Sequence, residues 1–403
     1  MEMKTGIDIV KISRIKDILD KNRNSFYRKI FTENEVRYIE NKKGNSLTVA
    51  GLFACKEAVS KLLGTGIGTI GWKDIEILHT SKDKPYISLN QKLYSQLSLL
   101  NINSIEVSIS HEDDYAIALS IGYMDEKKYQ VLDEIKEILP KREKESHKGS
   151  YGRVGIIAGS KGMTGAAYLS STAAIRSGSG LVYSIVPYEI ADLMAIKLTE
   201  VIVKSYKDND ECLELLNGLD GLALGPGLGL DEDRKDLVRR ILGKYDGPIV
   251  LDADGINAID DYRILSNRNA PTVITPHPGE LARLLNKSIE EIQEDRIYYS
   301  KYASDKYNVI TVLKGYGTLV AYGDLIYKNH TGNPGMASAG SGDVLTGMII
   351  SFICQGIDPF RACKLATYCH GLAGDMAKDK KGEYGLIARD ILENIPKAIK
   401  LIE

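Results

Sequence analysis

From Tyr151 onward, short apolar runs alternate with longer stretches of helical spacing, and this rhythm restricts the fold more than any other feature of the chain. The runs are Val154 to Ala158, Leu181 to Val186, Gly221 to Leu224, Ile249 to Leu251, Thr272 to Ile274 and Val309 to Leu313. Strands that are apolar throughout and separated by helices predict a mostly parallel α/β sheet covered on both faces. Several runs end in a glycine-rich or polar cluster: Ala158-Gly-Ser-Lys-Gly, Gly225-Pro-Gly-Leu-Gly229, Asp252-Ala-Asp254-Gly, Thr275-Pro-His277-Pro-Gly-Glu280 and Lys314-Gly-Tyr-Gly-Thr318. In open α/β sheets, ligands bind beyond the carboxyl ends of the strands. These loops are therefore expected to converge on one crevice.

A further stretch, His330 to Gly347, contains Gly340-Ser341-Gly342-Asp343, which runs into the apolar pattern Val344, Leu345, Met348, Ile349, Phe352. Small residues at a helix start let backbone N–H groups approach an anion, and the helix dipole adds positive potential. Asp343 would set a carboxylate beside that anion. Taken alone, Gly-Ser-Gly-Asp fits equally a glycine-rich turn with Asp343 as a first-turn cap. No Gly-x4-Gly-Lys-Ser/Thr loop occurs in the chain. The set of glycines at 225, 227, 229, 340 and 342, the cation Lys314, the imidazole of His277 and the carboxylates Asp254 and Asp343 suggests a small-molecule kinase with Asp343 as base. His277 lies between two prolines at a strand end, which favours a site over a core position. Asp254 serves equally as a helix cap, and His330 and His370 are read as structural.

A chain of 403 residues is long for one core, so two domains are expected. The pattern changes between Gly122 and Tyr151, where a charged segment begins at Met124-Asp-Glu-Lys-Lys. We place the boundary near Tyr123 to Lys128, giving domains 1–123 and 124–403, with one short helix marked by Val131, Ile135, Ile138 and Leu139 in the second. The first domain reads as α+β: a strand around Ile7 to Val10, a helix from about Thr48 to Leu63, strands near Ile75 to His79 and Tyr86 to Leu89, and a hairpin of Val107 to His111 and Tyr115 to Ile121 joined by Glu112-Asp113-Asp114. Net charge −2, from 52 basic and 54 acidic residues, supplies no global field for nucleic acid or an anionic membrane. Five dispersed cysteines without a Cys-x-x-Cys pair argue against a disulfide framework or a thiolate zinc site. The start of the chain lacks a basic region followed by a long apolar run, so a cytoplasmic protein is expected.

In the first domain, Glu57 and Lys61 lie four residues apart on a helix whose apolar stripe is Leu52, Cys55, Val59, Leu62 and Leu63. From that helix alone the pair is an exposed ion pair contributing about 0.3–0.5 kcal/mol. A functional role requires Asp8 alongside. Two carboxylates without histidine or thiolate suit Mg²⁺ on a pyrophosphate, with Gly64-Thr-Gly-Ile-Gly68 as a backbone cradle.

The stretch from about His147 to Ile395 resembles the ADP/ATP-dependent NAD(P)H-hydrate dehydratases, which have a ribokinase-like fold. The likeness is carried by His147-Lys-Gly-Ser-Tyr-Gly-Arg153, Gly165-Ala-Ala, Gly225-Pro-Gly-Leu-Gly, Leu251-Asp-Ala-Asp-Gly, Thr275-Pro-His-Pro-Gly-Glu, Leu313-Lys-Gly and Gly332-Asn-Pro-Gly-Met-Ala-Ser-Ala-Gly-Ser-Gly-Asp. It implies phosphorylation of the ring hydroxyl of the S hydrate of NAD(P)H by ADP or ATP, then elimination of phosphate; bacterial members lean to ADP. It further implies that Ala166, Gly227 or Gly229, and His277 contact the hydrate, that Lys314, Gly315, Tyr316, Gly317, Thr318 and Gly342 hold the adenine nucleotide, and that Asp343 is the base.

Residues from about Met3 to Gly122 resemble holo-acyl-carrier-protein synthase, the small phosphopantetheinyl transferase. The matching residues are Gly6-Ile-Asp-Ile-Val10, Arg14-Ile15, Phe31-Thr-Glu-Asn-Glu35, Ala54-Cys-Lys-Glu-Ala58, Lys61, Gly64-Thr-Gly-Ile-Gly and Ser108-Ile-Ser-His-Glu112. By that likeness Asp8 and Glu57 bind Mg²⁺ on the pyrophosphate of coenzyme A, a serine of acyl carrier protein attacks, and Lys61 stabilises the leaving 3′,5′-ADP. His111 is placed near the nucleotide, and the chain should form trimers through its N-terminal third. Two departures stand out: Asp83-Lys-Pro replaces the family's Gly-Lys-Pro, and Leu52 replaces an arginine. A bifunctional enzyme with independent activities is the resulting expectation. Its rivals are a stable-product alcohol kinase in the second domain and a non-catalytic oligomerisation or carrier-binding module in the first.

Overall fold

The structure, a computed structural model, describes residues 3–64, 66, 68–100, 102–124, 129 and 131–403. They divide into two compact units, Met1–Gln130 and Val131–Glu403. Residues 125–128 of the expected boundary, and Thr65 and Ile67 of the proposed cradle, lie outside the described residues.

In the first unit, strand β1 (Met3–Lys11) pairs with β5 (Tyr115–Met124), which pairs with β4 (Ile102–Glu112), all antiparallel; β2 (Glu76–His79) and β3 (Pro85–Ser88) form a separate hairpin. The β4–β5 hairpin is tighter than expected, since β4 runs on through Glu112, which pairs with Tyr115, and only Asp113-Asp114 remain as the turn. Helix Ser46–Leu63 starts on the Asn45 cap, whose side chain accepts from Leu47 N at 3.0 Å, and stops at Gly64 in the left-handed conformation (φ 73°). Its expected stripe, Leu52, Cys55, Val59, Leu62 and Leu63, is buried. The strand–helix contact depends on Gly6: a Cβ there would sit 2.0 Å from Ala58 O and 2.6 Å from Leu62 N. That close crossing carries Asp8 to the helix. Helices Ile12–Ile30, Glu33–Asn41 and Gln91–Leu99 were not foreseen.

The second unit is built on one nine-stranded sheet: β6 (Arg153–Ile157), β7 (Leu181–Pro187), β8 (Ile202–Tyr206), β9 (Gly221–Leu224), β10 (Ile249–Leu251), β11 (Thr272–Ile274), β12 (Ile310–Leu313), β13 (Leu319–Tyr322) and β14 (Leu325–Lys328). Their order is β14-β13-β12-β11-β10-β9-β6-β7-β8. The seven strands from β12 across to β8 are parallel, and β13 and β14 add an antiparallel edge. Strand order reverses between β6 and β9, inside the sheet, and in open α/β sheets ligands bind at the carboxyl ends of the strands beside such a point. Helices Glu232–Lys244, Pro278–Leu285 and Arg296–Tyr307 pack a continuous apolar core onto one face through Leu237, Ile241, Leu281 and Ala303. Helix Ser341–Cys354 packs against β6, β9 and β10 and against helix Thr164–Arg176, where Gly347 comes so close that a Cβ would lie 2.1 Å from Ser170 O. The helix expected around 131–139 shrinks to Asp133–Lys136, yet Ile135 and Ile138 are buried as its spacing implied. Among the described residues, no helix is long and apolar enough to cross a membrane.

Candidate functional site

The carboxyl end of β10 delivers Asp252, a buried carboxylate with no role in the sequence reading. Its Oδ1 accepts from Lys314 Nζ at 2.6 Å, its Oδ2 from Thr346 Oγ1 at 2.8 Å, and Oδ1 also from Ala253 N at 2.9 Å. Burial alone would raise Asp252 and lower Lys314. The charge of each partner and the hydrogen bonds outweigh it, so Asp252 lies below and Lys314 above its ordinary range. Lys314 thus points inward, 3.9 Å from Glu280 and 3.4 Å from where a Cβ on Gly342 would sit. Sequence spacing could not separate Asp252 from Asp254 in Leu251-Asp-Ala-Asp-Gly. The fold does so: Asp254 Oδ2 accepts from Gly229 N at 2.9 Å and ties down the Gly225–Gly229 loop.

Asp343 stands in the first turn of helix Ser341–Cys354, after Gly340 at φ 88°. Its carboxyl is pushed up to about 6, first by burial, then by the charge of Asp252; Lys314 acts in the opposite direction and Asp254 adds to the rise. A carboxylate with that affinity for a proton, set at a glycine-lined helix start, is suited to act as a base near neutral pH.

Gly227 (φ 60°) leaves room above Ala166: a Cβ would lie 2.9 Å from Ala166 Cβ and 3.0 Å from Met163 Cβ. Ser160 Oγ donates to Gly227 O at 2.9 Å, so the start of helix Thr164–Arg176 and the 225–229 loop form one wall. His277 caps helix Pro278–Leu285: its Nδ1 accepts from Gly279 N at 3.0 Å and Glu280 N at 3.3 Å. This places the proton of the neutral ring on Nε2, which lies 3.5 Å from Glu280 Oε1, with the side chain 56% exposed. The cap thus leaves the ring half open rather than packed into the core. The Lys314–Thr318 loop is held by Arg296, which donates to Leu313 O and Lys314 O at 3.2 Å each and to Tyr316 O. Tyr316 is fully exposed between Gly315 and Gly317, both at positive φ, while Thr318 Oγ1 turns back to Gly315 O at 3.0 Å. His330 is exposed; His370 is buried, which lowers it to about 4, and its Nε2 lies 3.4 Å from Ser341 Oγ at the head of helix Ser341–Cys354.

In the first unit the three expected groups meet. Lys61 Nζ bonds Asp8 Oδ1 at 2.8 Å and Ile7 O at 3.1 Å, so the lysine turns to the strand and is more than the exposed partner of Glu57 that the helix suggested. Glu57 is raised, first by burial and then by the charge of Asp8, the signature of two carboxylates that share a small space. Acceptor-only oxygens under mutual repulsion fit a hard divalent cation. His111 is exposed at the end of β4, opposite Ala116.

The two departures are accommodated. Asp83 takes the left-handed conformation (φ 64°) open to the family's glycine, and its carboxylate is held by Tyr38 Oη at 3.0 Å and Lys42 Nζ at 2.8 Å. Leu52 is buried in the core. Two motif residues to which sequence gave no role, Glu35 and Lys56, form a fully buried pair at 2.8 Å. Lys56 also donates to Trp72 O at 2.9 Å and to Ile75 O, and Glu35 accepts from Thr32 N and Ile77 N at 2.8 and 2.9 Å.

Comparison with known proteins follows the same division. The model of the NAD(P)H-hydrate dehydratase family matches residues 154–397, and that of the 4'-phosphopantetheinyl transferase superfamily matches residues 4–120. The chain is 43% identical over 277 residues to the bifunctional NAD(P)H-hydrate repair enzyme Nnr of Moorella thermoacetica, covering 66% of this chain and 52% of that one. It is 33% identical over 274 residues to the ADP-dependent (S)-NAD(P)H-hydrate dehydratase of Bacillus subtilis, covering 67% and 97%. The chain thus spans about half the length of the bifunctional relatives it matches. Crystals of the Bacillus subtilis ADP/ATP-dependent NAD(P)H-hydrate dehydratase grown with ATP/Mg²⁺ gave a structure similar to this one at TM-score 0.61 and 32% identity, over 68% of this chain and 98% of that one. A ribokinase-like superfamily protein of Enterococcus faecalis reaches the same TM-score at 27% identity, over 69% and 99%. On a family model that covers more than half of its length, the chain belongs to the NAD(P)H-hydrate dehydratase family.

Proposed function

We propose that this is a bifunctional enzyme: a nucleotide-dependent dehydratase of the S form of NAD(P)H hydrate in its second unit, and a phosphopantetheinyl transferase acting on acyl carrier protein in its first. The observation that carries the first half is Asp343, half-buried, raised to about 6 and set at a glycine-lined helix start beside the Asp252–Lys314 pair. In the reaction, the Asp343 carboxylate takes the proton of the ring hydroxyl as its oxygen attacks the terminal phosphorus of ADP or ATP and the bond to the leaving nucleotide breaks. Backbone N–H groups at Gly340 to Gly342 stabilise the transferring phosphoryl. Expulsion of phosphate with loss of a ring proton then restores the reduced nicotinamide. Ala166, Gly227, Gly229 and His277 would face the hydrate; the loop Lys314, Gly315, Tyr316, Gly317, Thr318, with Gly342, would face the nucleotide.

In the first unit, Asp8 and Glu57 would hold Mg²⁺, which when bound neutralises the pyrophosphate of coenzyme A. Lys61 would release Asp8 to stabilise the departing 3′,5′-ADP while the carrier serine forms its new bond to the β-phosphorus, with His111 near the nucleotide. Asp8→Ala is expected to lower transfer of phosphopantetheine to apo carrier protein by at least about 100-fold while hydrate repair persists. Unchanged transfer would remove the metal assignment, whereas no transfer by the wild-type chain would favour a non-catalytic carrier-binding module.

We also infer a cytoplasmic homotrimer joined through the first unit. Ile7, Ile9, Tyr115, Ile117 and Leu119 form an exposed apolar stripe on one face of the β1–β5–β4 sheet, in register as Ile7 with Leu119 and Ile9 with Ile117. Sedimentation of the full chain as a monomer at micromolar concentration would contradict this.

A further inference from the structure

Helix Pro359–Lys381 belongs to none of the motifs that carry the chemistry, yet the segment leading to Asp343 is laid along one of its faces. Asn329 Nδ2 donates to Thr367 O at 3.0 Å, and Thr331 Oγ1 to Tyr368 O at 2.9 Å. Gly371 and Gly374 open the surface beneath the loop: a Cβ on either would lie 2.2 Å from Thr331 Oγ1 or Met336 Sδ respectively. His370 reaches Ser341 from the same helix. The strongest tie is Asp375. Its Oδ2 accepts from Gly332 N and its Oδ1 from Asn333 Nδ2, both at 2.9 Å, while Asn333 Oδ1 accepts from Gly335 N at 3.1 Å. Gly332 is at φ 103°, so the backbone turns where this carboxylate grips it.

We propose that Asp375 is a positioning residue for phosphoryl transfer, fixing the turn at Gly332–Asn333 and thereby the register of the glycine-lined loop that presents its N–H groups and Asp343 to the substrates. This rests on reading that loop as the site of phosphoryl transfer. An aspartate is required because both neighbours present donors. An asparagine at 375 keeps an acceptor for Gly332 N but turns its own N–H₂ toward that of Asn333. The amide of Asn333 cannot rotate to compensate without giving up its bond from Gly335 N.

The test compares Asp375→Asn with the reciprocal pair Asn333→Asp/Asp375→Asn in the full chain, where the exchanged partners again match donor to acceptor. Amide hydrogen exchange, read without any ligand, is expected to quicken in residues 331–342 of the single variant and to return to the wild-type rate in the pair. kcat for hydrate repair should fall about tenfold or more in the single variant, with little change in KM for the nucleotide, and recover in the pair. Unchanged exchange in the single variant would overturn the proposal, as would a loss of kcat that the pair fails to restore. A wild-type chain without repair activity would instead count against the reading of the loop, and the exchange comparison would still decide whether Asp375 holds it.

Discussion

Asp343→Asn is expected to reduce nucleotide-dependent hydrate repair by about 10²–10⁴-fold, the range a positioned general base contributes. An asparagine keeps the shape and can still cap the helix, so a purely structural Asp343 would leave the rate nearly intact. The pH profile gives a second handle. Because the carboxyl titrates near 6 and acts only when ionised, the wild-type rate should drop on the acid side as pH falls through about 6. Any residual rate of the variant should lack that limb. The sign for stability is opposite to that of a paired aspartate. The folded state holds this proton more tightly than the unfolded chain, whose carboxyl sits near 3.8, so stability should decline as pH rises from about 4 to about 6, and Asp343→Asn should abolish that decline.

Lys56→Met is expected to destabilise the first unit by about 3–5 kcal/mol, the cost of leaving one charge of a buried pair uncompensated. Both side chains of the Glu35–Lys56 pair are wholly inaccessible, and burial pushes Glu35 up and Lys56 down even with the partner present. Trp72, the single tryptophan of the chain, accepts a bond from Lys56 through its backbone carbonyl, so its fluorescence reports the unfolding of this unit. Glu35→Gln combined with Lys56→Met should cost clearly less than the two single changes added together. Additive losses, or a change below about 1 kcal/mol in Lys56→Met, would mean that the pair is not what joins Phe31-Thr-Glu-Asn-Glu35 to Ala54-Cys-Lys-Glu-Ala58.

Much of the α/β unit was legible because parallel strands buried on both faces leave continuous apolar runs; β6, β7 and β9 to β12 all lie where those runs do. Strands β8 and β14 stayed hidden because they are edges: Ile202, Leu325 and Ile326 are exposed, and no apolar block survives. In the first unit, helix Ile12–Ile30 escaped notice because its stripe of Ile12, Ile15 and Leu19 is broken at Asn22, whose φ of −157° and ψ of 44° are non-helical, before resuming at Tyr27 and Ile30. Glycine and carboxylate motifs revealed the loops, but not the side chains that hold them. Asp252, Arg296 and Asp375 act on a half-buried lysine, on backbone groups or on a loop amide, partners that a linear pattern does not show. His277 was ambiguous in sequence for a physical reason: the ring that caps the helix also remains half open at the strand end.

The most direct test is the return of reduced-nicotinamide absorbance from purified S-NADH hydrate, with ADP and ATP in parallel and a reaction without nucleotide. Recovery that requires a nucleotide, with release of inorganic phosphate, is the predicted result, and the faster donor identifies the physiological one. No recovery from the folded chain, or a phosphorylated product that persists, would contradict the account and make the second unit a kinase of some other alcohol.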